Sequence, residues 1–117
     1  SFRVLLREIQ SQDPRGTVVL YPVIHARWET PELQAIELRP QSTSAIFDSV
    51  AKERPRFWVI VGVRRNGIGG DSDGRKLAWL QGRCALSRRV AKPRIDYEEY
   101  QSLLFDCPGS GHGASPR

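Results

Sequence analysis

The chain has no methionine, only two cysteines and two histidines, and no apolar run near the roughly 18–20 residues that a membrane-spanning helix needs. Each shortage removes a class of protein. Without a long apolar run, no helical membrane span is predicted. Cys84 and Cys107 stand apart, with no CxxC and no histidine pair beside either, so no zinc site is predicted. Two isolated cysteines read as reduced thiols of an intracellular protein, and a disulfide between them is the other possibility. GxSxG, HExxH, the P-loop and a GxGxxG placed between strand and helix are all missing. Asp71 and Asp73 form a DxDG fragment, but the third spaced acid and distal glutamate of a calcium loop are absent. No catalytic constellation is therefore predicted, and enzyme or binding module stays open. The missing methionine fits either a removed initiator or a domain cut from a longer protein. Arg3 and Arg7 interrupt the first apolar pattern, which excludes the h-region of a signal peptide there.

What is present suits a single domain. At 117 residues, with 39% hydrophobic and 26% charged, the chain can build one core but not two. Residues 1–108 are expected to form that domain, and the polar stretch 109–117 a disordered tail. The organising stretch runs from Ser42 to Ser87. Ile46, Phe47, Val50 and Ala51 make one apolar stripe at helical period, with Ser42, Thr43 or Ser44 to cap it and Pro55 to close it. Phe57 to Val63 is apolar on both faces, as a central strand is. A glycine-rich loop follows. Arg75 to Ser87 then reads as a second strand pairing with the first as a hairpin.

Before this stretch, Phe2, Leu5, Leu6 and Ile9 predict an amphipathic helix. Thr17 to Glu29 alternates and predicts a half-buried strand that is an edge, or is bulged or split at Pro22. His25 falls on its wetter face. Leu33 to Arg39 alternates again and predicts a hairpin partner about the Thr30–Pro31 turn. After it, Asp96 and Glu99 form a capping-box-like pair, and Tyr97, Tyr100, Leu103 and Leu104 predict a closing helix. The fold class expected is α+β: an antiparallel sheet curled toward a small barrel, with two or three packing helices.

Arg39, Ser42, Thr43 and Ser44 lie between a strand end and a helix N-terminus. Hydroxyls, a guanidinium and free backbone N–H groups there suit a phosphate, and simple capping is the other reading. The segments YPVIHARWE, AIELRPQSTS, AIFDSVAKERP, RFWVIVGV and KLAWLQGRCALS, in that order, resemble the FMN-binding split barrels related to pyridoxamine-phosphate oxidase. The resemblance covers about Val18 to Ser87. It departs at Ala45 and Ile46, where the family carries a lysine after the serine. It implies a split-barrel fold, FMN bound through Arg39, Ser42, Thr43 and Ser44, and a homodimer with cofactor between subunits.

Charge suggests a second reading. Lys52 to Arg94 holds twelve basic and three acidic residues, a net +9, which leaves −4 on the rest of a chain whose total is +5. Such asymmetry suggests an anionic partner, which is nucleic acid, a cofactor phosphate or an acidic protein, and a solvated face that keeps the protein soluble is the other reading. Arg64, Arg65, Arg75, Lys76, Arg88 and Arg89 are the nucleic-acid candidates, with Phe57, Trp58 and Trp79 interleaved for stacking. Phe57 and Trp58 fall in the doubly apolar strand, so they are expected in the core. A third reading is a protein-interaction module without a small ligand, using the β edge near Pro22 or the basic rim.

Overall fold

The computed structural model describes residues 2–21, 23–39, 41–62, 67–68, 74–91 and 100–107. Its elements are α1 (Phe2–Gln12), β1 (Thr17–Leu20), α2 (Ile24–Glu29), β2 (Gln34–Glu37), α3 (Ala45–Glu53), β3 (Arg56–Gly62), β4 (Gly67–Ile68), α4 (Arg75–Arg83), β5 (Ala85–Ala91) and β6 (Tyr100–Asp106). The α+β class is as expected. The strands lie in the order β2-β1-β3-β6-β5, and β4 pairs with the end of β3.

The sheet is mixed rather than antiparallel. Its β2-β1-β3 half is parallel, and its β3-β6-β5 half is antiparallel. It runs open from β2 to β5 and does not close into a barrel. Two expected hairpins are absent. β1 and β2 pair in parallel, Thr17 opposite Gln34 through Leu20 opposite Glu37, because α2 carries the chain back between them. β3 pairs along its whole length with β6, not with the segment that follows the glycine-rich loop.

Burial explains this arrangement. Strand residues alternate sides, and in β1, β3 and β6 both sides are apolar. Val18, Leu20, Trp58, Ile60 and Leu104 pack with Leu5, Leu6 and Ile9 of α1 and with Ala26 of α2. Val19, Phe57, Val59, Leu103 and Phe105 pack with Phe47, Val50 and Ala51 of α3 and with Leu80 of α4. The sheet is thus a filled layer with two helices on each face. Phe57 and Trp58 are 0% and 1% exposed. Phe47 stacks on Phe57 at 6.2 Å and on Trp79 at 6.1 Å. Gly16 turns the chain into β1 close against Asp13, whose carboxylate would meet any added Cβ at 2.4 Å. That carboxylate also accepts from Trp58 Nε1 at 3.4 Å.

Three segments depart from the predicted type. Residues 24–29 are helix, not strand. Val23, Ala26 and Thr30 are buried at helical spacing, while Ile24, His25, Arg27 and Trp28 face out. Arg75–Arg83 is helix, not strand. Lys76 and Leu80 bury one stripe, and its first turn starts from Gly74 at φ 73°. Tyr100–Asp106 is strand, not helix, because the middle of an antiparallel ladder buries Leu103 and Phe105 on one face and Ser102 and Leu104 on the other. Pro22, Val63, most of the glycine-rich loop, the Asp96–Glu99 cap and the tail lie outside the described residues, as does the 1–108 boundary.

Thr17 Oγ1 and Ser102 Oγ are buried without a partner among the described residues. Ser102 sits between Ile60 and Val90 in the ladder. An orphaned buried hydroxyl carries its desolvation cost without a compensating bond. Ser102→Ala is therefore expected to be neutral or stabilising, whereas Leu103→Ala next to it should cost about 2–5 kcal/mol by cavity formation. Urea unfolding of the two variants checks this, and a Ser102→Ala loss approaching that of Leu103→Ala would show a hydrogen bond the ladder does not provide.

Candidate functional site

The Arg39–Ser44 loop leaves the C-terminal end of β2 and enters α3, as a phosphate-binding turn would. Several of its amides and the Arg39 guanidinium are engaged locally, with two hydroxyls as acceptors. Ser42 Oγ accepts from the Arg39 N–H at 3.1 Å, and Ser42 N–H donates to the Arg39 carbonyl at 3.0 Å. Thr43 Oγ1 accepts from the Ala45 N–H at 3.3 Å. The Ile46 and Phe47 amides donate to the Thr43 and Ser44 carbonyls. Ser44, at the N-cap, makes no side-chain cap bond. The Arg39 guanidinium pairs with Glu37 at 2.9 Å. That bond, joined by a backbone bond from Val23 and by nearby Arg27, holds the Glu37 carboxyl below its ordinary range. The four predicted residues are therefore brought together, but in a turn that satisfies much of its own hydrogen bonding.

Of the six basic candidates, the four described ones lie on two elements, Arg75 and Lys76 on α4 and Arg88 and Arg89 on β5. Arg64 and Arg65 lie outside the described residues. Lys76 is 9% exposed, inside the α4 stripe, while Arg75 beside it faces out. Other cations of the basic segment are engaged elsewhere: Arg54 with Gln34 at 3.1 Å, Arg56 with Asp106, and Arg83 stacked over the Trp79 ring at 4.6 Å. Phe57 and Trp58 offer no ring to a base, as expected. Arg88 and Arg89 remain, and they stand together on β5.

β5 is the most distinctive surface of the molecule. It ends the sheet, so its outer backbone edge has no strand partner among the described residues. Ala85, Leu86, Ser87, Arg88 and Arg89 are all exposed. Its ladder to β6 runs from Ala85 opposite Asp106 to Ala91 opposite Gln101, with a bulge between Leu86 and Arg88 that leaves Ser87 as the extra residue. After the bulge, Arg88 and Arg89 are consecutive and so point to opposite faces. An amide side chain holds each: Arg88 donates to Gln12 of α1, and Arg89 donates to Gln101 of β6 at 2.9 Å.

The start of β5 is fixed by two further devices. Arg56 makes a two-pronged bond to Asp106, at 2.8 and 3.1 Å, and Ser87 bonds the same carboxylate. These residues join β3, β6 and β5 in one row. The Arg56 guanidinium, and after it Ser87, hold the Asp106 carboxyl below its ordinary range. Next to that row, Cys84 and Cys107 form a disulfide, where reduced thiols were expected. The topology explains the pairing: Cys84 caps the end of α4, Cys107 follows β6, and the Ala85–Asp106 pair sets the two side by side. Such a bond persists in oxidising surroundings and is reduced in a glutathione-buffered cytosol. An open depression of about 540 Å³ lies here, lined by Gly82, Arg83, Cys84, Ala85, Asp106 and Cys107.

Sequence reasoning missed β5 as an edge because it carried the preceding helix into the strand. The run Arg88-Arg89 within ALSRRVA was a usable signal, since a charged strand interior marks an edge. Trp28 was also missed as a surface residue. It is 79% exposed on α2, near the Arg3–Glu29 and Arg7–Glu29 ion pairs of α1 and α2. Among the described residues no three His, Cys, Asp or Glu side chains converge as a metal site would require, and no helix is long and apolar enough to cross a membrane. No family model, curated protein or solved structure matches the chain.

Two outcomes follow from this corner. Replacing both cysteines, Cys84→Ser with Cys107→Ser, should lower stability by about 3 kcal/mol, the loop-closure value for a sequence separation of 23. The thermal midpoint of wild type with and without reductant gives the same comparison, and an unchanged midpoint would remove the disulfide's structural role. The second outcome concerns pH. Asp106 is charged more readily in the folded state, so its contribution is present above the ordinary carboxylate value of 3.8 and is lost as pH falls through the depressed folded value. Asp106→Asn should flatten the acid limb of the stability–pH curve slightly, because the pair is half in solvent. An identical acid limb in the variant would argue that Arg56 does not engage Asp106 in solution.

Proposed function

We propose that this domain is a protein-interaction module that takes an extended segment of a partner as an additional strand on β5. One observation carries the reading: a seven-residue terminal strand whose outer backbone edge has no strand partner among the described residues and whose exposed residues run from Ala85 to Arg89. An open edge presents alternating N–H and C=O groups, and a peptide that adds to it satisfies them with its own backbone. The opposite edge, β2, is four residues long, and its last three are half-buried. β5 is also held in place before any partner arrives. The disulfide, the Arg56–Asp106–Ser87 row and the two arginine–glutamine bonds fix its register, so little ordering remains to be done on binding.

The flavin-phosphate reading has less support. The Arg39–Ser44 turn uses its hydroxyls and several of its amides internally, and Arg39 is paired. The nucleic-acid reading lacks an exposed ring beside Arg88 and Arg89 among the described residues, since Trp79 lies half-buried under Arg83.

Hydrogen exchange tests the proposal. Short synthetic peptides of alternating Thr and Val should slow exchange across residues 85–91 and leave β2 unchanged. FMN is the competing ligand. A thermal shift with FMN that Arg39→Ala abolishes, with no peptide protecting β5, would move the function to the loop after β2.

A further inference from the structure

We infer that the segment added to β5 is acidic and comes from a different chain, not from a second copy of this one. The inference rests on the strand-addition reading and names its partner. Arg88 and Arg89 sit near the middle of the strand, one on each face, each oriented by a glutamine. A partner strand lying alongside places its side chains about 4.5–5.5 Å from theirs on both faces. Carboxylates at two adjacent positions of that strand would therefore meet one guanidinium above the sheet and one below. Each guanidinium can bind a carboxylate with two parallel bonds.

The same arginines bar self-association. Antiparallel pairing of β5 with its own copy over all seven residues sets Arg88 opposite Arg88. A shift of one position one way sets Arg88 opposite Arg89 on both strands, and a further shift sets Arg89 opposite Arg89, while a shift the other way sets Arg88 opposite Ser87. Like charges directly opposite are destabilising, and an inward or central charge is a known guard against edge-to-edge pairing. The edge thus disfavours itself in its full-overlap register and in the two beyond it on one side, and it favours the opposite sign. Nucleic acid fits less well. Phosphates would use the guanidiniums but would leave the backbone edge between Ala85 and Ala91 unpaired.

Three peptides of about the length of β5 test this, identical except for Glu-Glu, Gln-Gln or Lys-Lys at their centre. By fluorescence polarisation at low salt, the Glu peptide should bind about five- to ten-fold tighter than the Gln peptide, as two exposed ion pairs permit, and the Lys peptide weakest. The gap should close at high salt and should vanish in the variant Arg88→Gln with Arg89→Gln, which keeps the edge. Sedimentation should show no β5-dependent dimer. Equal binding of the Glu and Gln peptides, with β5 protected from exchange by both, would overturn the acidic inference and leave strand addition standing. No protection of β5 by any peptide would overturn both. Oligonucleotide binding that the double variant abolishes, without Glu-peptide binding, would assign the arginines to nucleic acid. A dimer lost when Arg88 and Arg89 are reversed to glutamate would assign the edge to a second copy.

Discussion

Burial of β3 on both faces is the constraint on which the rest depends. Phe57 and Val59 need one apolar layer, and Trp58 and Ile60 need another. Each such side chain contributes about 1.5–3 kcal/mol when fully removed from water, so leaving either face open would forfeit a large share of a small domain's stability. Only the interior of a sheet with helices on both sides satisfies both faces. β1 and β6 then flank β3 and carry the same double burial, with Val18 and Leu20 against Val19, and Leu104 against Leu103 and Phe105. The four helices divide two and two because there are two faces to cover.

That solution leaves the ends of the sheet to solvent. A strand with one neighbour must expose an edge, and the two ends handle it differently. β2 is short and mostly half-buried. β5 is long and exposed, and it is held by covalent and polar contacts rather than by apolar packing. The polar contacts contribute little each when exposed, but they fix direction and register well. The disulfide and the Arg56–Asp106 bond thus do for β5 what burial does for β3.

Legibility in the sequence followed the same division. The Ile46–Ala51 stripe, the doubly apolar Phe57–Val63 run and the Leu5, Leu6, Ile9 face each had one strong period, and α3, β3 and α1 appear where those patterns stand. Residues 24–29 and 75–83 carried apolar groups at spacings that fit strand and helix alike. Ile24 and Trp28, which completed the strand pattern, are solvent-exposed in a helix. Tyr100, Leu103 and Leu104 made the converse error possible, because a short strand buried on both faces reads like one helical stripe. The parallel β1–β2 pairing was implicit in chain length. Residues 21–33 are too many for a tight hairpin and enough for a crossover helix.

Net charge over a segment turned out to be a poor guide to a surface. The +9 stretch from Lys52 to Arg94 is linear in sequence, but its described cations are spread over several elements. Arg56 crosses to Asp106, Arg54 reaches Gln34, Arg83 lies on Trp79, and Lys76 sits in the α4 stripe. Each of these cations serves a local contact that fixes an element end or a strand register. Arg88 and Arg89 differ because a strand edge offers each of them one anchoring partner and open solvent beyond it. Adjacent positions on a strand cannot share a face, so the edge presents positive charge both above and below the sheet. Position in the sheet, more than the sum of charges around it, sets these two residues on an exposed strand end.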